Sequence, residues 1–218
     1  MFTVRLQESN RTYRIGKIVC LGRNYAEHIR ELGNESSSEP VIFIKPATSA
    51  IRHGEKVTIP TYSTDCHHEI ELAVLIGSYG RGIPPENTGD MIVGYGVALD
   101  MTLRDVQSRL KEKGLPWELA KGFDTSCPLS DFAPASRIDD PHELAVNLRV
   151  NGELRQQGST SQMIRRIPEI VSYISSIFTL EPGDIILTGT PQGVARVASG
   201  DRLCAEIEQI GTLEVSVQ

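Results

Sequence analysis

The chain has 218 residues, of which 39% are hydrophobic and 23% are charged, and its formal net charge is −6. These proportions are ordinary for a globular protein, and an acidic balance without a basic stripe argues against nucleic acid or an anionic membrane as the main partner. Nowhere do about eighteen apolar residues run together, so we predict no membrane-spanning helix. The first residues, MFTVRLQESN, lack the basic and apolar regions of a signal peptide. The scattered cysteines are typical of a reducing compartment, and we therefore expect a cytoplasmic protein.

Short segments that are rich in β-branched residues and bounded by glycine, proline or asparagine predominate, which is typical of strands. The predicted strands are Lys17–Leu21, Val41–Lys45, Glu69–Ile76, Met91–Leu99, Leu144–Val150, Asp184–Leu187 and Leu203–Ile207. Between LAVNLRV and ELRQQ, the pair Asn151-Gly152 predicts a type I′ hairpin turn, because both residues tolerate a positive φ.

Three segments have helical periodicity, namely Asn24–Leu32, Asp105–Lys113 and Pro168–Phe178. Thr102, followed three residues later by Asp105, predicts a variant capping box at the start of the second helix. A proline opens the third helix, where its fixed φ suits the first turn. The apolar stripe of the third helix consists of Ile167, Ile170, Val171, Ile174, Ile177 and Phe178.

No composition shift marks a domain boundary, and no repeat of about twenty to fifty residues recurs. The sequence predicts one β-rich α+β domain over residues 1–218, with an N-terminal strand region at 1–15 and a core at 16–218. The serine-rich stretch Asn34–Pro40 predicts a mobile loop between a helix and a strand. Without a CxxC pair, the cysteines are predicted to be small buried hydrophobic residues; they are Cys20, Cys66, Cys127 and Cys204.

The segment HHEIELAVLIG places two carboxylates on one face of a predicted strand. Because side chains alternate along a strand, Glu69 and Glu71 share a face, with their Cβ atoms about 6.5–7 Å apart. A solvated acidic face is the simpler interpretation. However, Ala73 and Leu75 continue the glutamate face with small or apolar side chains, which indicates that the strand is covered on both faces at its far end.

Asp100 closes the apolar run IVGYGVAL and is either a turn residue or a third carboxylate beside the two glutamates. A site of three carboxylates would select Mg²⁺, Mn²⁺ or Ca²⁺ over zinc. It would leave about three octahedral positions for water or a chelating substrate, as a catalytic site requires.

Other polar groups lie near these segments. In RNYAEHIRE, His28 and Glu31 are three residues apart on one helical face, where they form either a general-base pair or an inert surface pair. The segment Asp184–Gly193 is a strand that runs into a glycine-rich loop, whose amides and Thr190 could receive a carboxylate. Each cation nearby is typical of a solvated surface, but as a group they could hold an anionic substrate; they are Arg23, Lys45, Arg104 and Lys121.

Taken in order, these segments resemble the fumarylacetoacetate hydrolase family, and in particular its short single-domain branch of acylpyruvases and oxaloacetate decarboxylases. The resemblance extends from about Lys17 to Gly200. The motifs that carry it are GRNYAEHIRE, EPVIFIKP, HHEIELAVLIG, GYGVALDMTLRDVQ, GLPWELAKGFD, VNGELRQQGST and GDIILTGTPQGV.

The resemblance implies a mixed β-sandwich roll of the family's C-terminal-domain type, a homodimer and a bound Mg²⁺ or Mn²⁺. The metal ligands it implies are Glu69, Glu71 and Asp100. The implied catalytic residues are His28 and Glu31 on a lid helix, together with Lys121. The implied substrate contacts are Arg23, Lys45, Arg104, Gln107 and Thr190.

The activity that the resemblance implies is metal-dependent hydrolysis of acylpyruvates to pyruvate and a carboxylic acid. The same site would also serve an oxaloacetate decarboxylase, an oxaloacetate keto–enol tautomerase, or an isomerase or decarboxylase of an aromatic ring-cleavage pathway. An alternative of another class is a non-catalytic module in which the three carboxylates hold a structural Ca²⁺ with a closed coordination shell.

Overall fold

The computed structural model describes residues 2–33 and 39–218, so most of the loop predicted at Asn34–Pro40 lies outside the described residues. The helices are α1 (Ala26–Glu31), α2 (Arg104–Glu112), α3 (Glu118–Lys121) and α4 (Ile167–Ile177), with 3₁₀ turns at Ala47–Ser49, Pro85–Met91, Ala135–Arg137 and Thr160–Gln162. The strands are β1 (Thr3–Arg5), β2 (Thr12–Arg14), β3 (Ile18–Gly22), β4 (Val41–Lys45), β5 (Ala50–Arg52), β6 (Lys56–Val57), β7 (Cys66–His68), β8 (Ile70–Ile76), β9 (Ile92–Leu99), β10 (Thr102–Leu103), β11 (Cys127–Leu129), β12 (Ala133–Pro134), β13 (Ala145–Val150), β14 (Glu153–Ser159), β15 (Ile185–Leu187), β16 (Ala195–Val197), β17 (Arg202–Ile207) and β18 (Gly211–Val217).

Two larger sheets form the body of the fold. The first has the order β4-β3-β15-β8-β9-β11-β5, with β12 also paired to β9, and the second has the order β14-β13-β17-β18-β6. They pack face to face, because Leu72 and Val97 of the first sheet and Leu148 and Leu213 of the second belong to one buried cluster. Smaller sheets, β10-β7-β16 and β1-β2, flank them. The β-rich α+β prediction and the mixed sandwich architecture are confirmed.

Strand β8 is buried along its whole length, whereas the sequence predicted cover on both faces only at its far end. Ile70 and Leu72 point into the cluster between the two larger sheets. Ala73 and Leu75 point to the opposite face, where a second apolar cluster covers them. The face that carries the glutamates is therefore a covered face and not a solvated one.

The hairpin that joins β13 to β14 has the predicted turn. Asn151 and Gly152 have φ values of 53° and 84°, and a type I′ turn requires positive φ at both positions. The hairpin brings β14 alongside the sandwich with Gln156 completely buried, although its neighbours in the strand are exposed.

The capping box predicted for α2 is wrong. The N-cap residue is Leu103 and makes no side-chain cap. The Thr102 hydroxyl instead donates to the carbonyl of Asp100 at 3.1 Å, and Asp105 accepts a hydrogen bond from Ser63 at 2.7 Å. The hydroxyl of Thr102 is therefore used in a hydrogen bond to Asp100 and does not cap the helix.

Two apolar assignments also need correction. In α4, Ile167, Ile170, Val171 and Ile174 are buried as predicted, but Ile177 in the last turn is 46% exposed. Cys204 is only partly buried, whereas the other three cysteines are buried. No helix in the described ranges has the length and apolar character needed to cross a membrane.

Candidate metal centre and active site

The antiparallel register of β8 and β9 brings three carboxylates together. Ile70 pairs with Leu99, and Asp100 donates its backbone N–H to the carbonyl of Glu69 at 2.8 Å. Opposed residues of an antiparallel pair point to the same face, so Asp100 joins the glutamates. One oxygen atom from each of Glu69, Glu71 and Asp100 lies within 4.8 Å of the other two, and all three residues are buried. We call these three residues the acidic triad.

Cations surround two members of the acidic triad. Lys121 Nζ lies 2.9 Å from Glu69 Oε2 and 2.6 Å from Asp100 Oδ2, and Arg104 also donates to Glu69. Lys45 Nζ lies 2.8 Å from Asp100 Oδ1. The interpretation of these lysines as solvated surface residues is wrong, because Lys45 is 0% and Lys121 is 3% exposed.

Glu71 differs from the other two members of the acidic triad in its contacts. Within the described residues no cation lies at ion-pair distance from it, and its carboxylate accepts the backbone N–H of Gly189 at 2.6 Å. Burial, together with the charges of Asp100 and Glu69, raises the pKa of Glu71 well above its usual range. A divalent cation fits this donor set, because it would offer the buried Glu71 carboxylate the charge partner that it lacks.

The pKa values of Glu69 and Lys121 shift in the directions of a tight ion pair. Burial acts to raise the pKa of Glu69, but the Lys121 ammonium and the Arg104 guanidinium outweigh burial and hold that pKa well below its usual range. Burial acts to lower the pKa of Lys121, but the Asp100 and Glu69 carboxylates outweigh it and raise the pKa. Both groups are therefore charged at neutral pH.

The predicted histidine–glutamate pair is formed on α1. His28 Nδ1 lies 3.2 Å from Glu31 Oε2, and His28 is buried. The other carboxylate oxygen of Glu31 accepts the backbone N–H of Gly193 at 3.0 Å. The glycine-rich loop after β15 thereby fixes the carboxylate that orients the imidazole.

That loop requires a glycine at position 189. Gly189 has a φ of 99°, and a Cβ added there would lie 2.8 Å from Cβ of Asn24. The left-handed conformation lets the loop pass close to the start of α1 while its amide reaches Glu71. The glycine-rich segment after β15 therefore contacts both the acidic triad and the histidine–glutamate pair.

One narrow cleft connects these groups. Its walls contain the whole acidic triad and most of the other predicted site residues. Glu31 and Lys45 are not among its lining residues, since Glu31 lies behind His28 and Lys45 lies behind Asp100. The lining side chains predicted from the sequence are Arg23, His28, Glu69, Glu71, Asp100, Arg104, Gln107, Lys121 and Thr190.

Several further side chains line the cleft without having been predicted, among them Lys111, Phe43 and Trp117. Lys111 follows Arg104 by seven residues, so helical spacing could have found it from the sequence. The ring of Phe43 packs against the catalytic candidate Lys121, whose Nζ is 4.9 Å from the ring centroid. No local sequence pattern predicts that contact.

A larger groove of about 880 Å³ lies along the N-terminal strands, with Arg5, Arg52 and His53 in its walls. The acidic triad does not line it. The smaller cleft is the candidate active site, because the three buried carboxylates of the acidic triad line it together with an imidazole and several cations.

A sandwich of this kind, with a buried acidic triad and a histidine–glutamate pair in one cleft, has the parts of a metal-assisted enzyme. The family model described as fumarylacetoacetate (FAA) hydrolase C-terminal matches residues 17–218. The chain therefore belongs to the fumarylacetoacetate hydrolase family, as its motifs predicted.

Relatives of the chain include enzymes with two kinds of activity. The rat oxaloacetate tautomerase FAHD1, mitochondrial, is 50% identical over 210 residues, which are 96% of this chain and 95% of the relative. The Escherichia coli oxaloacetate tautomerase YcgM is 51% identical over 192 residues, 88% of each chain. The crystal structure of fumarylpyruvate hydrolase from Pseudomonas aeruginosa in complex with Mn²⁺ and pyruvate is 40% identical, has a TM-score of 0.95, and matches over 99% of this chain and 94% of that one.

Proposed function

We propose that the chain is a metal-dependent hydrolase that cleaves the C–C bond of acylpyruvates, such as fumarylpyruvate or acetylpyruvate, to give pyruvate and a carboxylic acid. The observation that carries this proposal is the convergence of the acidic triad in a cleft that also contains an imidazole and several cations. The structurally similar fumarylpyruvate hydrolase, which holds Mn²⁺ and pyruvate, supports it.

Glu69, Glu71 and Asp100 would hold Mg²⁺ or Mn²⁺, since all three ligands are hard carboxylate oxygens. The ion would act as a Lewis acid toward the carboxylate and keto oxygens of the substrate. The acidic triad lines a cleft, which favours this catalytic role over a structural Ca²⁺ in a closed shell.

In this mechanism the side chains of the cleft move protons and stabilise charge. His28, oriented by Glu31, takes a proton from the water that attacks the distal carbonyl. The Lys121 ammonium stabilises the oxyanion as its charge develops. The C–C bond then breaks, the electron pair passes to the pyruvoyl fragment as an enolate, and protonation gives pyruvate.

The substrate carboxylate needs donors, and the cleft offers several. We assign Arg23, Arg104, Gln107 and Thr190 to this role, because all of them line the cleft and can donate hydrogen bonds. Lys45 contacts Asp100 and not the cleft, so in this proposal it acts on the substrate through that carboxylate.

A second candidate function is oxaloacetate keto–enol tautomerisation, with decarboxylation as a related activity. The relatives named oxaloacetate tautomerase, which are 50% and 51% identical to this chain, favour it. Tautomerisation needs only proton transfer at the carbon beside the keto group, which the His28 imidazole can perform without an attacking water.

A substrate panel separates these activities. Acetylpyruvate, fumarylpyruvate and oxaloacetate should be assayed with Mg²⁺, with Mn²⁺ and with a chelator. Hydrolysis yields pyruvate and a carboxylic acid, decarboxylation yields pyruvate and CO₂, and tautomerisation changes only the enol absorbance. We expect hydrolysis of the acylpyruvates that stops on chelation. Metal-independent turnover would contradict the role of the acidic triad.

Replacing Lys121 with methionine should lower turnover without weakening metal binding. Without the ammonium, Glu69 and Asp100 lose a competing cation, so Mn²⁺ affinity should stay the same or rise by up to about tenfold. Turnover should fall by at least about a hundredfold, because the developing oxyanion loses its donor. Calorimetric Mn²⁺ titration and steady-state assays measure the two effects, and Lys113→Met on the exposed end of α2 is the matched control. A parallel loss of Mn²⁺ affinity would show instead that Lys121 is needed to build the site.

We also propose a single catalytic domain over residues 1–218, assembled as a homodimer and located in the cytoplasm. The family match over residues 17–218 supports the catalytic core at 16–218. The dimer rests on the family resemblance alone, and the location rests on the sequence alone.

A further inference from the structure

Gln156 is a buried polar residue behind the cleft. It lies on β14 in the motif VNGELRQQGST, is 0% exposed, and is not among the residues that line the cleft. Its amide oxygen lies 3.1 Å from the backbone nitrogen of Ile70 and 2.9 Å from Nδ1 of His68. Its amide nitrogen lies 2.8 Å from the carbonyl oxygen of Pro191 and 2.9 Å from Oγ1 of Thr190. The amide thus joins the strand of the two glutamates to the glycine-rich loop.

The orientation of this amide is fixed by two backbone groups. A peptide N–H can only donate, so the atom that faces Ile70 must be the oxygen of Gln156. A peptide carbonyl can only accept, so the atom that faces Pro191 must be the nitrogen. Reversing the amide would break both hydrogen bonds in a buried place, which carries a large free-energy cost.

This orientation decides what the Thr190 hydroxyl can do. Because the second N–H of Gln156 points to Oγ1, Thr190 accepts there and keeps its own proton for another partner. The Pro191 carbonyl is a poor partner for that proton, since it lies 3.4 Å away and already accepts from Gln156. Thr190 lines the cleft, so an acceptor in the cleft is the partner that suits it.

We propose that Gln156 is a positioning residue that holds the Thr190 hydroxyl as a hydrogen-bond donor toward the cleft, and that this donor selects a carboxylate oxygen of the substrate. The inference deepens the proposed function and rests on it for the class of ligand, a 2-keto acid. It assigns a role to the VNGELRQQGST motif, which the mechanism above does not use.

The first test compares pyruvate binding by the Mn²⁺-loaded protein and by its Gln156→Met variant, measured by calorimetry. Methionine has nearly the length of glutamine but cannot donate to Thr190. We expect pyruvate affinity to fall by about ten- to a hundredfold, the effect of losing a well-aligned hydrogen bond to a charged group. Mn²⁺ affinity should stay within about threefold, because Gln156 contacts no carboxylate of the acidic triad. Gln157→Met is the control, since the adjacent glutamine of the same strand is exposed.

The second test asks whether Gln156 acts through Thr190. Thr190→Val removes the hydroxyl, and adding Gln156→Met to it should weaken pyruvate binding by no more than about threefold further. Thr190→Ser keeps the hydroxyl, so this background should remain sensitive to Gln156→Met by about tenfold or more. Equal losses in the valine and serine backgrounds would overturn the proposal, and so would a Gln156→Met variant that loses Mn²⁺ affinity in parallel.

Folding is checked by near-ultraviolet circular dichroism. If the methionine variant does not fold, Gln156→Glu preserves the shape and the acceptor for Ile70 while placing an oxygen against Thr190 and Pro191. That variant should also lose pyruvate affinity, and unchanged affinity would contradict the proposal. Failure of the unmodified Mn²⁺-loaded protein to bind pyruvate would instead contradict the proposed function, so the two failures are distinguishable.

Discussion

Replacing Glu71 with glutamine should abolish metal-dependent turnover while leaving the metal-free fold at least as stable as before. Glutamine resembles the protonated form of Glu71, which burial beside Asp100 and Glu69 already favours in the absence of metal. Its carbonyl oxygen can still accept the hydrogen bond from Gly189. What the variant lacks is the negative charge with which Glu71 would attract a divalent ion.

The expected loss of Mn²⁺ affinity in Glu71→Gln follows from the role of the Glu71 carboxylate as a metal ligand. Changes in groups that merely support a metal ligand cost about ten- to a hundredfold in metal affinity, so a change of the ligand itself should cost at least about a hundredfold. Mn²⁺ titration would measure the affinity, and thermal unfolding of the chelator-treated proteins would measure the stability.

Glu206→Gln provides the matched control, because Glu206 lies on a strand with its side chain exposed. The control should keep the unmodified Mn²⁺ affinity and turnover. If Glu71→Gln bound Mn²⁺ as tightly as the unmodified protein, the acidic triad would not be the metal site. If it lost metal only because it unfolded, the metal-free melting temperature would fall as well.

The predicted strands are confirmed because their signal is local. Alternation and β-branched residues suffice to recognise a strand such as β8, and Asn151-Gly152 suffices to recognise the hairpin. Strand β18 shows the same alternation, with Leu213, Val215 and Val217 buried, and it could have been predicted too. Two-residue strands such as β6 and β10 exist only through their pairing, so their own residues contain no usable signal.

Local sequence patterns predict only part of the candidate site. That Glu69 and Glu71 share a face follows from strand geometry alone. That Asp100 joins them depends on the register of β9 against β8, which the segment's own residues do not reveal. The two buried lysines are the extreme case, because only tertiary partners from distant segments make burial of an ammonium favourable.

The family resemblance supplied what local reasoning lacked, by naming the residues that converge. It gave no indication that Lys45 would contact Asp100 and not the cleft, since a motif lists residues without their neighbours. The family resemblance also did not identify Gln156 as a site residue. Its role can be inferred only once its four hydrogen-bond partners are known.

Replacing His28 with alanine should reduce acylpyruvate hydrolysis by about a hundred- to ten-thousandfold, the usual contribution of a general base. Mn²⁺ affinity should be nearly unchanged, because His28 contacts Glu31 and is not a member of the acidic triad. Glu31→Gln should have a smaller effect in the same direction, since it leaves the imidazole in place but removes the charge that orients it.

Comparing the effect of His28→Ala on different substrates tests the role of His28 as the general base more sharply than the loss of hydrolysis alone. Decarboxylation of oxaloacetate needs no attacking water, so His28→Ala should slow it much less than acylpyruvate hydrolysis. Tautomerisation depends on proton transfer, so its rate should fall together with that of hydrolysis. Glu27→Gln on the same helix and His53→Ala in the exposed turn after β5 are the controls, and both should behave like the unmodified protein. Hydrolysis at the unmodified rate in His28→Ala would rule out the histidine–glutamate pair as the base. An equal loss of all three activities would show that His28 shapes the cleft and does not transfer the proton.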